Sequence, residues 1–255
     1  MKKKVSWLSK SFTFLYTLWA AFWFLFFFLL LYPIIFVLIH RVPWRKNALQ
    51  LIHIWGKLFF LFSFIRFDIS YDFKPKKDQI YVFCANHFSY LDIPVLVILI
   101  KNHFSFIGKS SIRKVPLFGY MYAKLHVLVD RGSKSSRASS LIKSVRALQN
   151  RSLAIFPEGG ITSKQFPYMS TPLKDGAFQM AIQQKVPIVP ISLFNNHLML
   201  NGDNFLLRPG VIKVHVHEPI ITRGLSMDDL PVVREKVYQS IQLPILAHYS
   251  IDLPN

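Results

Sequence analysis

No aspartate or glutamate precedes Asp68, and the 255-residue chain holds a single cysteine. The lone Cys84 excludes an intrachain disulfide and any zinc site built from several cysteines. It lies inside an apolar run and reads as a buried, unreactive thiol rather than a nucleophile. The acid-free opening is strongly basic, with Lys2, Lys3, Lys4, Lys10, Arg41, Arg45, Lys46, Lys57 and Arg66 all inside it. Over the whole chain 31 Lys and Arg oppose 13 acidic residues, a net charge of +18. That excess calls for an anionic partner. The basic residues alternate with long apolar runs, which suits a bilayer interface and not a nucleic-acid groove. Membrane lipid is therefore the expected partner and nucleic acid is not. The chain has no internal repeat.

Residues 11–39 carry no charge and are mostly Phe, Leu, Ile, Trp, Tyr and Val. About 20 apolar residues suffice to cross a bilayer, so this run is long enough. Pro33 is expected to kink or interrupt it. Basic residues flank both ends and leave the orientation open. The run is too long for a signal peptide and no small-residue cleavage site follows, so it is expected to be retained. Residues 44–65 mix Arg45, Gln50, His53 and Lys57 with aromatic and aliphatic positions. That pattern fits a helix lying among headgroups, and a second spanning or core helix equally. Residues 1–67 thus read as one or two membrane-associated helices and residues 68–255 as a separate domain.

Beyond Asp68 short β-like runs at 80–85, 104–107, 127–129, 153–156, 187–193 and 211–216 alternate with helical patterns. The helices are expected near 93–100, 116–124, 135–149, 174–184 and 227–243. Such alternation predicts an α/β fold: a mixed, largely parallel sheet flanked by helices, with the N-terminal apolar helical motif as membrane anchor. In parallel sheets ligands bind beyond the carboxyl ends of strands, so chemistry is sought in the post-strand loops.

The segment Asn86-His87-Phe88-Ser89-Tyr90-Leu91-Asp92 follows the first of these runs. On one continuous helix His87 and Asp92 would sit about 140° apart. Ser89 and Asp92 instead read as a capping box that opens the next helix, with Pro94 tolerated in its first turn. His87 then lies in the loop and Asp92 in the first turn, where they can meet. A carboxylate accepting one ring N–H fixes the tautomer and leaves the other nitrogen as a general base. Spacing alone also fits a cap or a surface contact. His215 and His217 share one face of a strand and could bind a metal, but no other ligand stands near them in sequence.

Asn86-His87 with Asp92 resembles the NHx4D signature of the glycerolipid acyltransferases, whose best-known branch is the 1-acylglycerol-3-phosphate acyltransferases. Further blocks follow in family order. Gly108-Lys109-Ser110, Val115-Pro116-Leu117-Phe118-Gly119 and Val129-Asp130-Arg131 resemble the second, and Phe156-Pro157-Glu158-Gly159 the third. Lys174-Asp175-Gly176-Ala177-Phe178 resembles the KxGA segment, and residues 186–191 the fourth block. The resemblance covers about residues 80–193. It implies transfer of a fatty acyl group from an acyl thioester to the free hydroxyl of 1-acylglycerol-3-phosphate, giving phosphatidic acid. His87 is then the base, Asp92 its orienting carboxylate, and Lys109, Arg131, Glu158 and Gly159 hold substrate. Glu158 reads alternatively as a surface carboxylate paired with the surrounding basic charge. The oxyanion donors are not visible in sequence, and backbone N–H groups near the His87 loop are candidates.

No metal or redox cofactor is implied, and the donor is carried by coenzyme A or by acyl-carrier protein. The site is expected at the cytoplasmic membrane, facing the cytosol where thioesters are made. One departure stands out: the family's arginine after Glu-Gly-Thr is missing, since Gly160-Ile161-Thr162-Ser163 follow here. That leaves room for another acceptor, glycerol-3-phosphate or a lysolipid without phosphate, with Lys164 as a substitute cation. Readings of a different class are a non-catalytic lipid-binding protein and a thioester hydrolase.

Overall fold

A computed structural model describes residues 7–130, 134–200, 202 and 204–251, and leaves out the side chains of residues 7–9 and 134–138. Seven strands form one sheet in the order β1-β7-β6-β2-β5-β3-β4. They are β1 (Arg66–Tyr71), β2 (Val82–Ala85), β3 (Phe104–Lys109), β4 (Val127–Val129), β5 (Ser152–Ile155), β6 (Ile188–Leu193) and β7 (Val211–Val216). Every adjacent pair is parallel except β6 and β7. The mixed, largely parallel sheet predicted from the alternation is therefore present.

The central strands are apolar on both faces because both faces are covered. Phe83 and Ala85 of β2 join the core beneath α3 (Asp92–Leu99) and α4 (Phe118–Leu125). Val82 and Cys84 point the other way, toward α5 (Lys134–Leu148), α6 (Gly176–Gln184) and α8 (Leu230–His248). Cys84 is fully buried, and burial pushes its thiol up to about 12, so it is inert as read. The short α7 (Asn196–Met199) follows β6.

Strand β1 has no counterpart among the predicted runs. Its sequence Arg66-Phe67-Asp68-Ile69-Ser70-Tyr71 is polar at alternate positions and half exposed, because it is an edge strand paired only with β7. The last helix also outruns its expected end: α8 continues through Pro244 to His248.

The N-terminal segment forms α1 (Trp7–His40) and α2 (Arg45–Phe62). Helix α1 is not interrupted at Pro33. The missing N–H forfeits one helical bond, and the turns beyond it are pinned by buried Ile35 and Ile39 and by Tyr32, whose hydroxyl donates to the Leu117 carbonyl. Along one flank α1 exposes Phe12, Leu15, Leu18, Phe22, Leu25, Leu29 and Val37. The opposite flank packs on α2, where Trp55 Nε1 donates to the Phe24 carbonyl at 2.9 Å. Helix α2 in turn packs on α3, with His53 Nδ1 donating to the Val97 carbonyl at 2.9 Å. Its apolar face is thus buried inside the protein, while Lys46, Gln50 and Lys57 stay exposed. Among the described residues only α1 is long and apolar enough to cross a membrane.

Candidate active site

Parallel β6, β2, β5, β3 and β4 all end on the same edge of the sheet. That edge gathers the Asn195-Asn196 turn, the His87 loop, Pro157-Glu158, Lys109 and Asp130 in spatial order. Strand β2 is also where the chain order reverses, with later strands added on both sides. Open α/β sheets form their ligand crevices at such a point.

Asn86 locks the exit of β2 to its neighbour. Its side-chain amide donates to the Leu193 carbonyl at 2.9 Å, and its carbonyl accepts the Leu193 N–H at 2.8 Å. The chain then turns into α3. Asp92 Oδ2 accepts the backbone N–H groups of Phe88 and Ser89, each at 2.9 Å, and Ser89 Oγ accepts the N–H of Leu91 at 3.1 Å. The expected box is half formed, because Ser89 Oγ takes the N–H of Leu91 and not of Asp92, and α3 is capped at Leu91 without a side-chain bond. The turn still brings the carboxylate under the imidazole: His87 Nδ1 lies 2.9 Å from Asp92 Oδ2. Nδ1 therefore carries the proton, and no protein group hydrogen-bonds Nε2 among the described residues. The ring of His87 stacks on Phe156 at 3.9 Å, with 12° between the planes. Its rotation is fixed from beneath by the carboxylate and from the side by the phenyl ring.

Asn196 had no place in the sequence reading. Its Nδ2 donates to Asp92 Oδ1 at 2.7 Å, so both carboxylate oxygens are satisfied by N–H donors. Four N–H groups thus converge on a fully buried side chain and hold it in place. The Oδ1 of Asn196 is buried without a partner, which makes this amide costly to hold for any purpose but the donation. We expect Asn196→Ala to lower kcat about tenfold or more, the worth of a hydrogen bond to a charged group, with the acceptor KM unchanged. An unchanged kcat in steady-state assays would show that Asp92 does not need this donor.

Glu158 is 3% exposed, so the surface reading of this residue is wrong. Its two oxygens accept the backbone N–H groups of His87 at 2.6 Å and Ser170 at 2.8 Å. It ties the His87 loop to the segment that follows Gly159. Gly159 itself has φ near +89°, which a side chain would strain. The N–H groups of His87, Phe88 and Ser89 are all occupied by carboxylates, so these three are not the oxyanion donors.

Burial pushes the Glu158 carboxyl up from 4.5 to about 7 against the pull of its two N–H donors. A raised folded value means that its stabilising contribution is complete below 4.5 and lost as pH rises through about 7. The melting temperature of the wild type should therefore fall by a few degrees relative to Glu158→Gln between about pH 4.5 and 7. A difference that stays constant with pH would contradict this.

Lys109 ends β3 and is exposed, two strands from His87. Arg131 lies outside the described residues. Lys164 is exposed on the loop after Glu158, and Ile161 stands where the family carries its arginine. Among the cavities that adjoin the site, two flank the His87 loop and Phe156. One of about 350 Å³ is apolar and lies between α1, α2, α3 and α4, reaching Leu91 and Phe106. The other, of about 650 Å³, lies across the sheet among α5, α6 and the β5 loop, and reaches Phe156 and Gly159.

The family model described as Acyltransferase matches residues 46–193. An uncharacterized acyltransferase of Schizosaccharomyces pombe is 31% identical over 168 residues, which is 65% of this chain and 60% of that protein. The 1-acyl-sn-glycerol-3-phosphate acyltransferase of Cocos nucifera is 34% identical over 144 residues, 55% of this chain and 46% of its own. That of Saccharomyces cerevisiae is 31% identical over 160 residues, 62% of this chain and 52% of its own. The chain thus spans about half the length of these curated relatives. The crystal structure of the 1-acyl-sn-glycerophosphate (LPA) acyltransferase PlsC from Thermotoga maritima matches with a TM-score of 0.73 and 23% identity, over 96% of this chain and 99% of that one. At that identity the likeness speaks for the fold. The family match extends over more than half of the chain and carries the His87, Glu158 and Pro187–Leu193 blocks in order, so the chain belongs to the acyltransferase family.

Proposed function

We propose that the protein transfers a fatty acyl group from an acyl thioester to the free hydroxyl of 1-acylglycerol-3-phosphate, yielding phosphatidic acid. The observation that carries this reading is the imidazole of His87, with Nδ1 held by a fully donated carboxylate and Nε2 free. Nε2 takes the hydroxyl proton as the oxygen attacks the thioester carbonyl. The tetrahedral adduct collapses with loss of the thiolate, which recovers the proton from the imidazolium. Asp92 stabilises that cation and keeps the tautomer. The step as drawn needs no acyl-enzyme, metal or redox cofactor, because the thiol is a good leaving group and the reactants are held together. The apolar cavity beside Leu91 is suited to an acyl chain, and Lys109 and Arg131 supply charge for the phosphate.

The test is an acceptor panel with one labelled acyl thioester, offered on coenzyme A and on acyl-carrier protein, comparing wild type with His87→Ala. Transfer to lysophosphatidic acid alone, abolished in His87→Ala, supports the proposal. Acyl loss without acceptor would mark a hydrolase, and no His87-dependent turnover a lipid-binding protein. The Gly160-Ile161 departure favours one second reading, the same chemistry on glycerol-3-phosphate or a lysolipid without phosphate. Lys109→Ala and Arg131→Ala separate a phosphate acceptor of either kind from a lysolipid without phosphate, and the acceptor panel separates the two phosphate acceptors. Each should raise the phosphate-acceptor KM about tenfold or more, as for loss of a charged hydrogen bond. An unchanged KM in both would remove them from the phosphate site.

The same reading puts the protein at the cytoplasmic membrane with His87 facing the cytosol. Helix α1 is covered by protein along one flank and apolar along the other. A helix half clad in protein is not surrounded by lipid, and α2 beside it exposes Lys46 and Lys57. Both facts favour an anchor sunk into one leaflet over a span, with the basic N-terminal residues on anionic headgroups.

A further inference from the structure

We propose that Asp72, His215 and His217 form a binding site for a divalent transition metal of the zinc class, which clips the edge strand β1 to β7. The two histidines found by spacing alone lack a third ligand in sequence, and the fold supplies it from 143 residues away. The parallel register pairs Tyr71 with Val216, so the first residue past β1 sits beside the first past β7. Asp72 donates its N–H to the Val216 carbonyl at 2.9 Å, which fixes its place.

Asp72 Oδ2 lies 2.7 Å from His215 Nε2 and 3.7 Å from His217 Nδ1, and one ligand atom from each of the three falls within 4.8 Å of the others. Bonds of about 2.0–2.1 Å in a tetrahedral site put ligand atoms roughly 3.3 Å apart. The two separations to Asp72 bracket that value, and the third, between the histidines, is at most 4.8 Å, so side-chain movements of roughly an ångström admit an ion. Two imidazoles and a carboxylate with water as fourth ligand make a zinc-type set.

The outer nitrogens of both rings are held as metal-binding histidines are held. Ser192 Oγ donates to the Ile241 carbonyl at 2.9 Å, so it must accept from His217 Nε2, 2.8 Å away. That tautomer leaves the lone pair of Nδ1 facing the Asp72 carboxylate, two acceptors 3.7 Å apart with no proton between them. A cation resolves this opposition. His215 Nδ1 is anchored on Ser70 Oγ at 2.6 Å, which turns Nε2 to the same point. The histidine side chains are 23% and 11% exposed and that of Asp72 48%, giving a recessed site with one open side.

The cluster is clear of the chemistry. His217 is level with Pro190, which pairs with Cys84, three residues before His87 and two strands over. Strand geometry makes that about 10 Å in each direction. The role implied is structural: among the described strands β1 has β7 as its sole neighbour, and the clip closes the end of that pair.

The experiment uses the tag-free full chain in detergent, stripped with a chelator and titrated with Co²⁺ and then Zn²⁺. About one equivalent of Co²⁺ should give the intense visible absorption of a four-coordinate ion, displaced by Zn²⁺. Zinc at about 100 times its Kd should raise the melting temperature by about 5 °C or more. Asp72→Asn and His215→Gln, both on the open side and independent of the buried His217, should each weaken Co²⁺ binding by about tenfold or more. No stoichiometric colour, or colour unchanged in both variants, would overturn the site. None of these readouts depends on acyl transfer, so they stand apart from the proposed reaction.

Discussion

His87→Ala should lower kcat by about 10²- to 10⁴-fold, the range of a positioned general base, while the protein still folds and binds vesicles. The fold tolerates the change because the interactions that shape the loop belong to the backbone. Glu158 grips the His87 N–H, and Asp92 grips those of Phe88 and Ser89. Removing the imidazole takes the base away and leaves the turn standing. The check is single-turnover transfer of a labelled acyl group beside a vesicle flotation assay. Residual transfer within a few-fold of wild type would sink the proposed role of His87.

Asp92→Asn should also lower kcat sharply, by about tenfold or more, the worth of a hydrogen bond to a charged group. Here the structure predicts that geometry survives. An asparagine can keep its oxygen at the Oδ2 position, where three N–H groups converge, and direct its new amide at Asn196. Asn196 can receive it by turning its own side chain over, since its Oδ1 is buried and unpaired. What is lost is the negative charge beneath the imidazolium. We therefore expect a melting temperature near that of wild type together with the collapse of kcat. Unfolding in place of inactivation would mean that Asp92 serves the loop alone.

The two predictions concern residues that were legible for a local reason. His87 and Asp92 are five apart, and the turn that joins them is written in Ser89 and Pro94. Asn196 was not legible because its bond to Asp92 spans 104 residues and exists only once β6 lies against β2. Its one signal was its place just past a buried strand, where a polar residue merits suspicion. Glu158 was identified correctly as a post-strand carboxylate, but whether it faced solvent depended on the loop to Ser170 folding back over it.

The parallel strands showed through because burial on two faces makes them continuously apolar. Strand β1, with charges at Arg66 and Asp68, did not, and the antiparallel turn of β7 against β6 leaves no mark in composition. Asp72 was hidden by the same edge strand. Pairing of β1 with β7 is what brings it to the two histidines.

The one-sided cladding of α1 carries a consequence for lipid traffic. Under the proposed reaction, an anchor immersed in half of a bilayer would draw lysolipid from that half and return the finished lipid to it. Expansion of the opposite monolayer would then await a separate transbilayer step, with the proposed reaction setting only the supply to that exchange.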